Sequence, residues 1–465
     1  MRRRYSTGYR RKKSIWPKIL LFLIVLGGAV GYFVYTSPKF ERIKPTIEAP
    51  DMVYAGSKKP IKVLLKDNRA LGQFQAYFNN GKRTIIAASG RFDMPMQETE
   101  VSIPFPSQIA EGKEEASWRL TIVVKDKSLW NYIDENIAIK TVKIVVDTKP
   151  PEVTLIAKSA TMARGGSALV IFRAEDATLK ETYVLSGGIR FEAVPYRKKG
   201  YYATLIAWPF QKKRINIFVV AKDIGGNITK KKVIFPKVHR SYKVSQIVVS
   251  DHFLDGKIVE VARQDPKASK IKNRLRRFKA VNETMRIENE NLIHTLSRKP
   301  PKPLSKRWKV KAFYPLKSAK LVADFGDERH YFYRDKTKEI SQSYHVGYDF
   351  ASTKHAPIVS SNRGLVVFAD RNGIYGKMPL IDHGFGLYTL YGHCSKVLVE
   401  EGEEVEAGQV IARTGMTGLA LGDHLHFGIL IQGVEVWPMD WMKQNWIKKN
   451  IDKVFQKADR IIGRK

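Results

Sequence analysis

The chain has 465 residues, 43% of them hydrophobic and 27% charged, with 81 Lys and Arg against 45 Asp and Glu for a formal charge of +36. That length is too great for one ordinary core and predicts about three domains. Cys394 is the only cysteine, which excludes an intramolecular disulfide and a cysteine-ligated zinc finger.

A basic cytoplasmic tail is predicted over 1–18, where Arg2, Arg3, Arg4, Arg10, Arg11, Lys12, Lys13 and Lys18 precede an apolar run. That run, Ile19 to Tyr35, is just long enough to cross a bilayer core of about 30 Å at 1.5 Å per residue. Basic residues on its N-terminal side keep the tail in the cytoplasm and send the rest of the chain across. The expectation is a single-pass anchor at 19–35 in the inner (cytoplasmic) membrane, with the bulk of the protein in the periplasm or outside. A cleaved signal peptide, with Gly27, Gly28, Ala29 and Gly31 as its small residues, is the rival reading. Export also argues against nucleic acid as the partner of the positive charge. Between Lys306 and Met442, 16 basic residues face 16 acidic ones, so the excess lies elsewhere, where it suits anionic lipid or an anionic wall polymer.

From Lys39 to Pro236 short β-rich segments are broken by turns. Ile61–Leu65, Leu120–Val124, Val142–Val146 and Ile215–Val220 are each bounded by Gly, Pro, Asn or Asp. An internal echo, Val123-Val124-Lys125-Asp126 against Val219-Val220-Ala221-Lys222-Asp223, together with Asp147-Thr148-Lys149-Pro150-Pro151, resembles bacterial immunoglobulin-like modules. Two are predicted, 39–149 and 150–238, as a spacer or as a surface for wall-synthesis or division proteins. A helical segment with a Pro-rich linker follows at 239–300. Its helix is expected from Ala268 to Ser297, where Ile271, Leu275, Phe278, Val281, Met285, Ile287 and Leu292 recur at helical spacing, and it is placed in sequence to cover a neighbouring groove. A basic amphipathic helix is predicted at 443–465, its stripe of Ile447, Ile451, Val454, Phe455, Ala458 and Ile462 either docked on its own domain or lying on a membrane.

The chemistry concentrates between these helices, in 306–442. His345-Val346-Gly347-Tyr348-Asp349 and His424-Leu425-His426 each place metal-binding side chains on one face of an extended strand, since positions i, i+2 and i+4 point the same way. Two imidazoles and a carboxylate, with a fourth position left for water, suit a hydrolytic zinc site rather than a structural one. Gly347 lies between the ligands of the first string and leaves the metal unobstructed. His239, His252, His294, His330, His355 and His383 have no partner at ligand spacing and are read as surface or structural residues.

The ordered series Phe325-Gly326-Asp327-Glu328-Arg329, His345 to Ala351, Leu390-Tyr391-Gly392-His393, Gly402 to Ile411, Thr414 to Gly418 and Gly422 to Phe427 resembles the lysostaphin/LytM-type zinc endopeptidases. The resemblance covers about 130 residues from Leu316. It implies that His345, Asp349 and His426 bind one Zn2+, with His393 and His424 as unligated histidines that orient or deprotonate water and stabilise the oxyanion. It also implies a compact, mostly antiparallel β domain that cuts peptide bonds of peptidoglycan stems or cross-links. Cys394 stands where the family commonly has a bulky aliphatic, and Gly428 where an acidic residue is frequent; neither removes a ligand. Cys394 is read as a packing residue pointing away from His393 on a strand. The expected whole is a multidomain, mainly β protein: transmembrane helix, immunoglobulin-like modules, helical segment and peptidase. The rival function, a non-catalytic activator of cell-wall amidases, is known among relatives that have lost ligands.

Overall fold

The apolar run folds as a single helix, Trp16–Thr36, starting three residues earlier than the run itself because Pro17 is tolerated in a first turn. Its 21 residues have a mean hydropathy of 2.2 in their most apolar window, and none is buried. It is long and apolar enough to cross a membrane. The computed structural model describes residues 14–55, 60–110, 117–131, 134–302, 304 and 308–463, so most of the predicted basic tail, and Arg464 and Lys465 of the predicted C-terminal helix, lie outside the described residues.

The described protein is mainly β and divides into two compact units. One comprises Met1–Lys149 with Ile224–Asn227, the other Pro150–Asp223 with Ile228–Lys465. In the first unit a three-stranded sheet (Thr46–Glu48, Ile61–Lys66, Glu98–Ile103) accompanies a five-stranded one (Met52–Ala55, Ile137–Val146, Trp118–Asp126, Leu71–Asn79, Thr84–Arg91). Alternation drives this arrangement. In Trp118–Asp126 the side chains of Trp118, Leu120, Ile122 and Val124 are buried, joining Val63, Leu65 and Phe78 in one core, while Arg119 between them is exposed.

The second unit begins with two four-stranded sheets. One contains Val194–Pro195, Tyr201–Ala207, Ser167–Glu175 and Glu152–Lys158; the other contains Ile189–Glu192, Leu179–Ser186, Ile217–Asp223 and Ile228–Lys232. These strands share a hydrophobic core with the C-terminal part of the chain. Polar contacts lock the two together: Gln432 accepts from Glu192 N at 2.8 Å, Trp441 Nε1 donates to Ser167 Oγ at 2.9 Å and Ser159 Oγ to Asn450 O at 2.7 Å. The segment is therefore an integral flank of the body that holds the candidate site.

The largest sheet of that body runs in the order Lys320–Ala323, Tyr348–Ala351, Leu425–Ile431, Leu387–Gly392, Lys377–Asp382, Gly364–Arg371 and Glu404–Val405, with Val434–Val436 paired to Leu425–Ile431. Every pairing is antiparallel, and all seven side chains of Leu425–Ile431 are buried. A separate three-stranded sheet places Val244–Val248 parallel to Asp327–Tyr333, itself paired with Asp335–His345.

The helix expected from Ala268 begins six residues later, at Arg274. Asn273 stops extension toward the N-terminus, because its Oδ1 accepts from Leu275 N and Arg276 N and satisfies first-turn donors. The helix continues through a π-helical stretch, Ala280–Met285, to Arg286–Ser297. Two short helices that the periodicity did not reveal, Asp251–Asp255 and Lys257–Ala262, pack beside it. The C-terminal stripe docks on its own unit: Ile447, Ile451, Val454, Ala458 and Ile462 are buried, Phe455 stacks on Tyr196, and Asp459 pairs with Arg197 at 2.9 Å.

Arg240 closes one edge of this body. Its guanidinium lies 3.7 Å over Trp437 and 3.2 Å from both carboxylate oxygens of Asp440, and both side chains are nearly buried. Removing one partner of a buried pair leaves an uncompensated charge. Arg240→Ala is expected to lower unfolding stability by about 3–5 kcal/mol, and adding Asp440→Asn should recover part of that loss in denaturant titrations.

Candidate metal centre

The site is assembled by strand register. Asp349 pairs directly with His426 across one edge of Leu425–Ile431, and Gly392 pairs with the same His426 across the other. His393, one residue beyond Gly392, is thereby set next to His426. His345 arrives from the neighbouring sheet, where it ends the strand Asp335–His345 opposite Asp327. The expectation that His345 and Asp349 share one strand face is corrected: the chain bends at Val346-Gly347 and a new strand begins at Tyr348. The bend needs glycine, because a Cβ on Gly347 would stand 2.6 Å from His426 Cε1 and Nε2.

Three donor atoms meet there. His345 Nε2 is 2.9 Å from Asp349 Oδ1 and 3.0 Å from His426 Nδ1, and His426 Nδ1 is 2.8 Å from Asp349 Oδ1. Bonds of 2.0–2.1 Å to a tetrahedral ion give ligand separations of about 3.3 Å, so a triangle of this size closes around such an ion with little movement. The protonation pattern agrees. His345 Nδ1 lies 2.7 Å from the carbonyl of Asp324, which can only accept, so Nδ1 carries a proton and Nε2 is the nitrogen directed at the other two atoms. Two ring nitrogens and a carboxylate oxygen, all within 3.0 Å of one another, make a donor set that fits a divalent metal. Burial pushes the Asp349 carboxyl up, but the charge and hydrogen bonds of His345 and His426 outweigh it and hold the group well below the usual carboxylate range.

His393 and His424 stand beside the triangle with ring centres 4.8 Å apart. Each donates its Nδ1 proton to a backbone carbonyl, Thr417 O for His393 and Gly422 O for His424, both at 2.8 Å, which leaves Nε2 of each ring turned away from that bond. His424 Nε2 is 3.7 Å from Asp349 Oδ1. Burial, reinforced by His424 and His426, pushes His393 down to about 3, so it is neutral at physiological pH. His393 does not sit in regular strand: its φ of 63° is left-handed, held by its backbone N–H to Tyr375 O at 2.8 Å. Strain of this kind costs on the order of 1–3 kcal/mol and is typical of functional positions. Cys394 is fully buried with Sγ 3.3 Å from Tyr391 O, and burial pushes its thiol up to about 12, as suits a packing residue.

These five residues open into a cavity of about 540 Å³ whose far wall is built by the helical segment: His252, Phe253, Phe278, Asn282 and Arg286, with Arg329 beside them. Sequence spacing gave no sign of His252, which stands alone on a short helix, nor of Tyr375, whose buried ring lies 5.5 Å from that of His426. Several of the other histidines are satisfied elsewhere: His294 bonds Glu435 at 2.6 Å, His330 bonds Glu339 at 2.8 Å and His355 bonds Ser395 at 2.9 Å.

Residues 343–438, which hold these two histidines and the carboxylate with the two adjoining histidines, match peptidase family M23. The chain carries a peptidase M23 domain. Over 132 residues it is 34% identical to peptidoglycan DD-endopeptidase ShyA of Vibrio cholerae serotype O1, covering 28% of this chain and 29% of that protein. Over 106 residues it is 37% identical to murein hydrolase activator NlpD of Salmonella dublin, covering 22% and 28%. The catalytic domain of the antimicrobial peptidase lysostaphin from Staphylococcus simulans aligns at 26% identity and a TM-score of 0.23, over 27% of this chain and 92% of that one. The chain thus spans less than a third of the length of these two curated relatives.

His383 lies outside the centre and offers a clean pH probe. It is buried between Arg363 O at 2.8 Å and Thr389 Oγ1 at 2.7 Å, and burial pushes it down to about 4 from 6.5. The unfolded chain therefore takes up a proton that the folded one resists. The stability this histidine contributes is complete above pH 6.5 and is lost as pH falls toward 4, by up to about 3 kcal/mol. Urea titrations of the metal-free protein at pH 7 and pH 4.5 should show that loss, and His383→Gln should shrink it.

Proposed function

We propose that this protein is a zinc endopeptidase that hydrolyses peptide bonds of peptidoglycan stem peptides or cross-links, held by Trp16–Thr36 in the cytoplasmic membrane with its catalytic body on the outer side. The convergence of His345 Nε2, Asp349 Oδ1 and His426 Nδ1 within 3.0 Å of one another, beside two histidines with free Nε2 atoms, carries this reading. Bound zinc would act as a Lewis acid on the scissile carbonyl and acidify water. The protein's own groups do the rest. One of the pair, His393 Nε2 or His424 Nε2, takes the single proton released by the attacking water and returns it to the leaving amide nitrogen, while the other holds the water by a hydrogen bond. Before that return, the one Nε2–H so formed can donate to the developing oxyanion.

The fixed Nδ1–H bonds to Thr417 O and Gly422 O keep both rings aimed without reorganisation. Arg286 on the cavity wall supplies positive charge complementary to the carboxylates of stem peptides, whereas Arg329 is paired with Asp327 at 3.2 Å. The likeness to a DD-endopeptidase over the matched region supports the substrate class.

The likeness to a murein hydrolase activator supports a second reading, activation of a separate wall amidase. Two variants separate the readings. His345→Ala should lose bound zinc and all cleavage of sacculi. His393→Ala should keep its zinc while cleavage falls about 10²–10⁴-fold, measured as chelator-sensitive muropeptide release. A zinc-loaded, folded protein that releases no muropeptides but stimulates an amidase would establish the activator reading instead.

A further inference from the structure

The first unit holds a concentration of negative charge that the peptidase chemistry does not use. Glu41 precedes the strand Thr46–Glu48, Asp67 follows Ile61–Lys66, and Asp126 ends Trp118–Asp126, so three loop or strand-end positions converge at one end of the module. One carboxylate oxygen from each lies within 4.8 Å of the other two. Asp67 is 8% exposed and Asp126 1%. Part of this acid is satisfied locally: Asp67 Oδ1 accepts from Arg69 N and Ala70 N, Asp126 Oδ1 from Ser128 N and Asn136 N, and Asn68 Nδ2 donates to Glu41 Oε2 at 2.5 Å. Two oxygens are not. Asp67 Oδ2 and Glu41 Oε1 are both buried without any hydrogen-bond partner.

We propose that Glu41, Asp67 and Asp126 form a calcium site that ties the chain entering the first β module to the end of its sandwich. A buried carboxylate oxygen without a donor is costly, and two of them facing a third carboxylate add repulsion to that cost. A divalent cation removes both penalties. Oxygens bound to one calcium at 2.3–2.6 Å lie no more than about 5 Å apart, which matches the observed spread, and an all-oxygen carboxylate set selects a hard cation over zinc.

The surrounding structure is built to hold the third arm in place. The backbone carbonyl of Glu41 accepts from Ser128 Oγ at 2.7 Å and from Asn136 Nδ2 at 3.1 Å, while Asn136 Nδ2 also donates to Asp126 Oδ2. Without a cation the Glu41 carboxyl is pushed up, first by burial and further by Asp67 and Asp126, so protonation is the competing way to relieve the charge. The second module repeats two of the positions. Asp176 follows the strand Ser167–Glu175 as Asp67 follows Ile61–Lys66, and Asp223 ends Ile217–Asp223 as Asp126 ends Trp118–Asp126.

Asp67→Asn is the discriminating variant, because the amide oxygen can still accept from Arg69 N and Ala70 N while the charge is gone. The full-length, detergent-solubilised, zinc-loaded protein is titrated with Ca2+ by equilibrium dialysis and by thermal unfolding. At about 1 mM Ca2+, in the range of extracellular calcium modules, the parent should bind calcium and its first unfolding transition should move up by several degrees. Asp67→Asn should bind one equivalent fewer, lose that shift, and be at least as stable as the parent in chelator. Asp126→Asn should behave likewise where it folds, and His345→Ala should leave calcium binding intact. A folded parent that binds no calcium, an Asp67→Asn protein with undiminished stoichiometry, or a parent stabilised only by lowering pH through protonation of Glu41 would each overturn the proposal.

Discussion

The pairing of one buried strand, Leu425–Ile431, with its two neighbours is the constraint on which the site depends. Because antiparallel register sets Asp349 on one side of His426 and Gly392 on the other, a slip of one residue in either ladder would turn a ligand or a proton acceptor to the opposite face. The strand is buried along its whole length, so its register is specified by packing as well as by hydrogen bonds. The triangle of His345, Asp349 and His426 is thus a by-product of core formation: what fixes Leu425, Phe427 and Ile429 in the interior also fixes His426.

Around that strand the molecule distributes similar side chains into dissimilar roles by environment. His345, His393 and His424 each surrender one ring proton to a backbone carbonyl, which decides the tautomer and leaves a lone pair where it is needed. His383 is equally buried but spends its nitrogens on Arg363 O and Thr389 Oγ1, and His294 and His330 spend theirs on glutamates. The difference between a ligand and a structural histidine lies in what the second nitrogen touches.

The parts outside the peptidase sheet are not neutral packaging. The helical segment builds the wall opposite the centre, and it is anchored at its far end by His294 to Glu435 and by Asn289, whose side chain caps Ile374 N at 2.9 Å. The β segment from Glu152 to Lys232 grips the same body through Gln432 and Trp441. A cavity lined by the helical segment as well as by the sheet that carries His426 is better held than one made by loops alone.

Much of the candidate site was legible in the chain because metal chemistry leaves local signatures: His345 and Asp349 four apart, His424 and His426 two apart, and a histidine after Tyr391-Gly392. The strands Ile61–Lys66, Trp118–Asp126 and Ile137–Val146 were likewise visible, since alternation is a local property. What the linear chain could not decide was anything set by partners distant along it. The bend at Gly347 is imposed by the approach of His426, the late start at Arg274 by the Asn273 cap, and the left-handed φ of His393 by the carbonyl of Tyr375. Local chemistry therefore determined which residues can bind a metal. Only tertiary structure, through register and burial, decided that they meet, which nitrogen each presents, and that His252, Arg286 and Tyr375 face or adjoin the same cavity.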